Sequence, residues 1–307
     1  MRYLEKESKG KEMAKYLKKR REYAFYGLVS PALLVFVIIF LAPFLYSMLI
    51  SVSDSRSILR SEIELVGLHN FIRVLSQKSF WDTMARTILF VISTITIELI
   101  IGMTIALMLH RGLWGSVGFR LIYSLPLMVA PVVSGLQWRW LFADQYGVIN
   151  ALLNLVGLGG PQWFVSATAA FMTIIISNLW LATPFVVLVL VSGLSNISEE
   201  LNEAAEIDGA NKIQVFFHVV LPQLKPTILI ILVIRITDAF RIYDLIYILT
   251  GGGPGGSTEV LSTSIYKQIF VKLDFGQGAA ASLLVTILIF TLSVFLNKLF
   301  LRGGDDA

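Results

Sequence analysis

The sequence predicts an all-α integral membrane protein that crosses the bilayer six times. Composition is the first observation: of 307 residues 56% are hydrophobic and 15% charged, with a mean hydropathy of +0.75, too apolar for a soluble surface. The second is six apolar stretches, at 27–50, 87–109, 121–142, 167–191, 227–250 and 279–299, each reaching the roughly 20 residues a helix needs to cross. The third is the placement of charge: nine of the 25 Lys and Arg lie in the first 21 residues, ahead of the first apolar run. That is a positive-inside signal and explains the +4 net charge without a nucleic-acid ligand. There is no cysteine, which removes disulfides and thiolate chemistry, and His69, His110 and His218 are scattered.

In order, residues 1–26 form a basic N-terminal segment placed in the cytoplasm. The run at 27–50 is uncharged over 24 residues, longer than the roughly 7–15 of a cleaved signal segment, so it reads as a retained first span. The polar stretch 51–86 reads as an external loop with a short helix at the interface. In the second span Glu98 stands near mid-membrane, where an ionisable group is costly unless it finds partners. It either bonds one helix to another or faces a pathway. A short hairpin at 110–120 leads to the third span, which Pro126 and Pro131 should kink by removing backbone donors. Residues 144–166 contain no Lys or Arg, and 150–158 resemble an amphipathic surface helix outside. The fourth span has no charge over 25 residues and carries Pro184. About 15 Lys and Arg flank the spans on the N-terminal side of the membrane and about eight on the other, which puts both termini in the cytoplasm of a multi-pass protein.

The exception to this apolar pattern is the polar insert 198–226, SEELNEAAEIDGANKIQVFFHVVLPQLKP. Ser198 suits an N-cap, Glu199 and Glu200 favour the first turn through the helix dipole, and Gly209 can end that helix left-handed. A second short helix over 211–220 should stop at Leu221-Pro222, with Pro226 ahead of the fifth span. Two slim helices at an angle can enter a cleft on another protein, or form an ordinary interfacial loop.

At these residues the chain resembles the membrane subunits of binding-protein-dependent ABC importers. Their signature is Glu-Ala-Ala, a Gly six residues after the Glu, and a late hydrophobic-Leu-Pro, matched here by Glu203-Ala204-Ala205, Asp208-Gly209 and Val220-Leu221-Pro222. The resemblance covers nearly the whole chain. It implies a type I ABC importer permease bundle over 27–307, in which 198–226 is a cytoplasmic coupling loop that docks on a separate ATPase subunit. A second resemblance, to the larger maltose and trehalose permeases, rests on Asp238 to Asp244, Leu249-Thr250-Gly251-Gly252-Gly253-Pro254, Thr258, Tyr266, Phe270 and Phe275 to Ala280.

The resemblance implies no catalysis by this chain and no cofactor on it, with ATP and magnesium carried by two partner ATPase subunits. It also implies a second permease as heterodimer partner, an external solute-binding protein, and a prokaryotic cytoplasmic (inner) membrane. No Gly-Lys-Ser/Thr follows the glycine turn and no His-Glu-x-x-His pair occurs, so the residues themselves offer neither a nucleotide loop nor a metal enzyme.

In the fifth span Arg235, Asp238, Arg241 and Asp244 recur every three residues with alternating sign. At 300° per step neighbours can pair, so the stripe is either a self-satisfying ion-pair ladder or the hydrophilic wall of a pathway. Carboxylates and guanidinium forks suit sugar hydroxyls. Alignment with the maltose-type permeases places sugar contacts on Ile234, Thr237, Asp238 and Arg241 of the fifth span and Leu181, Ala182 and Phe185 of the fourth, with Asp244 ending the stripe. Here Asp238 and Arg241 replace amides and Phe185 a tyrosine. The expected cargo is a neutral di- or oligosaccharide such as maltose or trehalose, taken up by alternating access. Glycerol phosphate or another solute is the alternative within transport, and an autonomous secondary carrier the alternative outside ABC transport.

Overall fold

The computed structural model describes residues 19–21, 23, 25–54, 64–110 and 116–301. Most of the basic N-terminal segment lies outside these residues, as do Arg56, Arg60, Arg111 and Arg302. The described chain is helical, with one isolated bridge between Ser53 and Leu65. We number the helices α1 (25–51), α2 (His69–Ser76), α3 (Lys78–His110), α4 (Ser116–Ser124), α5 (Pro131–Leu141), α6 (Val148–Leu155) and α7 (Ala167–Ser195). There follow α8 (Glu199–Ile207), α9 (Lys212–Gln223), α10 (Lys225–Phe240), α11 (Asp244–Leu249), α12 (Leu261–Tyr266) and α13 (Phe275–Leu301).

Four of these, α1, α3, α7 and α13, are long and apolar enough to cross a bilayer by themselves. The expected third and fifth spans reach that length only as bent pairs, broken by 101° between α4 and α5 and by 65° between α9 and α10. The first break is sharper than a proline kink and has a local cause. Pro131 pushes the preceding residue out of the helical region, and Ala130 (ψ 139°) and Val129 (ψ 127°) are both extended.

The fifth span needs a larger correction. It is not one helix over 227–250: α10 stops at Phe240, and a new helix starts at Asp244. The Ser262 hydroxyl donates to the Ile242 carbonyl, satisfying an acceptor that the break sets free. The second span begins earlier than expected, at Lys78, and α2 supplies the short helix anticipated in the loop before it. The surface helix expected at 150–158 is α6.

α3, α7 and α10 form the centre, and they bury two separate apolar clusters. One holds Phe90, Val91, Ile95, Ile174, Ala239 and Phe240 together with Leu245, Ile246 and Leu249 of α11. The other, next to the polar insert, holds Ala106, Leu109, Val186, Val187, Leu190, Leu194, Leu224 and Ile231. The helices approach through small residues, as membrane helices do where burial of apolar surface supplies little drive. A Cβ on Gly193 of α7 would stand 2.6 Å from Thr227 Oγ1 and 3.0 Å from Leu224 Cδ2. Gly193→Val is therefore expected to pry α7 from α10 at a cost of about 1–3 kcal/mol, read as a lower melting temperature of the detergent-solubilised protein. An unchanged melting temperature would show that this contact carries no weight.

Candidate functional site

Between the two apolar clusters the three central helices meet in a polar layer. Glu98 of α3 is fully buried and Arg235 of α10 is 7% exposed. The Arg235 guanidinium meets the Glu98 carboxylate two-pronged, Nε to Oε2 at 2.9 Å and Nη2 to Oε1 at 3.0 Å. Asn178 of α7 donates Nδ2 to Glu98 Oε1 at 2.9 Å. Three helices are thus tied at one level, and both carboxylate oxygens are occupied. A two-pronged, fully hydrogen-bonded pair is the arrangement in which buried charges are tolerated.

One arm of Arg235 remains, and its Nη1 reaches Asp238 Oδ2 at 3.2 Å, one turn further along α10. The Asp238 side chain is 54% exposed. It opens into a cleft of about 480 Å³, within the roughly 300–1,000 Å³ of small-molecule sites. Of the eight expected pathway residues, seven line this cleft: Leu181, Ala182 and Phe185 from α7, and Ile234, Asp238, Arg241 and Asp244 from α10 and the start of α11. Thr237 does not. It turns to a second cavity of about 630 Å³ against α12 and α13, which it shares with Arg241.

Of the ladder that was one of two expected readings, only the Arg235–Asp238 rung forms, and Arg235 gains Glu98 as a further partner. Among the described residues Arg235 pairs with Glu98 and Asp238, whereas Arg241 and Asp244 make no ion pair. The break after Phe240 is the reason, since it takes Arg241 and Asp244 off the helix that carries Arg235 and Asp238. With Glu98 and Arg235 offsetting each other, the cleft is left with two carboxylates and one guanidinium. Sequence reasoning missed Asn178 and the Glu98–Arg235 pair. The available signal was two opposite charges near the middle of two different spans.

At the other end of α10 lies the polar insert, whose first helix and turn are largely exposed while Val215 and Leu224 pack inward. α8 stops at Ile207, and Gly209 takes φ +83°. The N–H of Ala210 then donates to the Ala205 carbonyl at 3.0 Å and that of Gly209 to Glu206 at 3.0 Å, closing the helix end as a left-handed residue allows. Asn211 starts α9 with a reciprocal cap: its Oδ1 accepts from Gln214 N–H, and Gln214 Oε1 accepts from Asn211 N–H. Ser198 starts α8 with extended backbone, but its side chain makes no capping bond. The second helix does not stop at Leu221-Pro222. It continues to Gln223, because Phe216–Val220 form a wide π turn and Pro222 sits in the first turn after it, where a missing N–H costs little. Pro226 falls in the first turn of α10. Glu203, Ala204, Asp208, Gly209 and Pro222 are exposed, while Ala205 and Leu221 are half-buried.

Residues 71–303 match the family described as binding-protein-dependent transport system inner membrane component. The chain is 34% identical over 282 residues to the trehalose/maltose transport system permease protein MalF of Thermococcus litoralis, covering 92% of this chain and 95% of that one. It is 32% identical over 278 residues to the sulfoquinovosyl glycerol transport system permease protein SmoG of Agrobacterium fabrum, covering 90% and 88%. Its fold matches a chain of a bacterial ABC transporter involved in import of the acidic polysaccharide alginate, with a TM-score of 0.80 at 20% identity over 94% of this chain and 98% of that one. A second structure of a bacterial alginate transporter, in complex with an alginate pentasaccharide-bound periplasmic protein, matches with the same TM-score of 0.80 and the same 20% identity, over 94% and 97%.

Proposed function

Because the chain belongs to the family of binding-protein-dependent transport system inner membrane components, we propose that it is the permease subunit of an ATP-driven importer that passes a neutral di- or oligosaccharide through the membrane. One observation carries the reading. The cleft lined from α7 and α10 and the exposed insert lie at opposite ends of α10, so movement imposed on the insert changes the wall of the cleft. The names of the relatives, trehalose/maltose and sulfoquinovosyl glycerol permeases, support a sugar. The balance of two carboxylates against one guanidinium favours a neutral sugar over an acidic one.

ATP is hydrolysed on separate ATPase subunits that grip the insert at Glu203 to Pro222, and their closure drives alternating access. A second, similar permease supplies the other wall of the path and the other docking loop. An external binding protein delivers the sugar, which the alginate transporter complex makes reasonable by its periplasmic protein. Both termini face the cytoplasm, and the cofactors ATP and magnesium stay on the partners. The test is uptake of radiolabelled maltose and trehalose into liposomes holding the full complex. Arg241→Gln and Asp238→Asn are each expected to raise KM about tenfold or more, the worth of one charge-assisted hydrogen bond, with normal membrane insertion. Uptake that is indifferent to both changes, or that proceeds without ATP, would overturn the reading.

A further inference from the structure

Where the cleft opens away from the insert, four aromatic rings lie against one another. Tyr243 lines the cleft itself. Its ring stacks on Tyr247 of α11 with centroids 5.2 Å apart and lies 4.8 Å from Tyr266 of α12. Tyr266 in turn lies 4.9 Å from Phe270 in the turn after α12. The outer members are open, Tyr247 at 46% and Phe270 at 62% exposure. Firm anchors hold the segment that carries Tyr266 and Phe270. Arg86 Nε donates to the Glu259 carbonyl at 3.0 Å, and the Leu261 N–H donates to Thr87 Oγ1 at 2.9 Å.

We propose that Tyr247 and Phe270 form an outer subsite on which a pyranose ring of an oligosaccharide stacks as it enters or occupies the cleft; this rests on the sugar-permease reading above. A pyranose ring has an apolar C–H face and a rim of hydroxyls. The cluster offers the matching surface: ring faces in the centre, phenolic hydroxyls on three of the four rings, Asp244 beside Tyr243, and the Lys267–Glu259 pair (2.8 Å) next to Tyr266. A lipid chain would set the Tyr247 hydroxyl and the Asp244 carboxylate, which makes no ion pair among the described residues, against hydrocarbon. Interfacial aromatics elsewhere in the chain are placed differently: Trp140 (67% exposed) and Trp81 (53%) do not adjoin the cleft. Tyr243 belongs to both the cleft and the aromatic row, so a bound chain longer than the cleft is directed onto the row.

The inference is tested with the full complex in liposomes and a ladder of linear α-glucans of two to five units as probe. Tyr247→Leu and Phe270→Leu, which keep apolar bulk but lose the ring, should each raise KM for four- and five-unit chains about 3- to 10-fold. The two-unit probe and the basal ATPase rate should stay as in the unaltered complex, and Tyr247→Trp should retain the long-chain KM. Equal KM for all lengths in the Leu variants overturns the subsite, as does a loss equal at every length, the pattern of a lipid or partner contact. Loss in Tyr247→Trp as large as in Tyr247→Leu overturns it too. The sugar reading fails separately, when the unaltered complex transports no member of the ladder and no other neutral sugar.

Discussion

Arg235→Met is expected to remove most of the chain from the membrane fraction, because it leaves the Glu98 carboxylate buried with only Asn178 to bond it. Removing one partner of a buried pair costs about 3–5 kcal/mol, a large share of a typical stability of about 5–15 kcal/mol. Pairing it with Glu98→Leu removes the orphaned charge, and replacing both partners of such a pair by apolar groups is often neutral. The double variant should therefore regain the melting temperature in detergent that the single one loses. Uptake by the double variant then separates the two roles left open for Glu98 by its sequence. Recovery of both protein and uptake assigns the pair to holding α3, α7 and α10 together. Recovery of protein with uptake still lost assigns it to the path, through the arm of Arg235 that holds Asp238 at the cleft. If Arg235→Met alone melts as the unaltered protein does, the pair contributes nothing to stability.

How much of this was legible in the sequence differs from one feature to the next, and the reasons are physical. The all-α membrane architecture follows from runs long enough to cross and from cations ahead of the first. The ends of α8 were legible because acids in the first turn and a left-handed glycine after the last act within a few residues of chain, although the Ser198 side chain makes no capping bond. The break at Ala130 was only half legible. Pro131 announces that the preceding residue is extended, yet a bend of 101° also needs Val129 to follow it. The break after Phe240 was not legible at all. Arg235 to Asp244 keeps a perfect three-residue period, and the group that takes up a carbonyl freed by the break is a hydroxyl 20 residues away, that of Ser262 on the Ile242 carbonyl. A partner far away in the chain is hidden in the same way: Arg235 does pair with Asp238 as its spacing suggests, but its bond to Glu98 was missed. The in-helix neighbour Asp238 is visible in the period, whereas Glu98 lies 137 residues earlier and meets Arg235 only because α3 packs beside α10. Seven of the residues expected on the pathway nevertheless line one cleft; they are placed by alignment with the maltose-type permeases around Pro184 and around Asp238, not by any local spacing.

Gly209→Val is expected to abolish uptake while the protein still inserts and assembles. Nothing lies within 4 Å of a Cβ at this position, so the substitution meets no steric obstacle, and the whole effect comes from the φ of +83°. A left-handed backbone costs an ordinary L-residue about 1–2 kcal/mol, and a β-branched one is worse placed still. The turn between α8 and α9 should relax to another conformation, breaking the bonds from Ala210 to Ala205 and from Gly209 to Glu206 and swinging α8 off its axis. Asparagine tolerates that conformation, so Gly209→Asn should keep most of the uptake, a contrast that charge or bulk alone would not produce. Glu203→Lys makes the complementary test. Glu203 is exposed and among the described residues no side-chain hydrogen bond or ion pair uses it, so reversing its charge should leave the melting temperature unchanged while a docked ATPase surface would feel it. The measurement is sugar uptake beside ATP hydrolysis stimulated by loaded binding protein. Both variants are expected to retain basal hydrolysis and lose the stimulation together with uptake. Normal uptake in Gly209→Val and Glu203→Lys alike would mean that force enters the bundle elsewhere, and that the slim turn at Gly209 only joins α8 to α9.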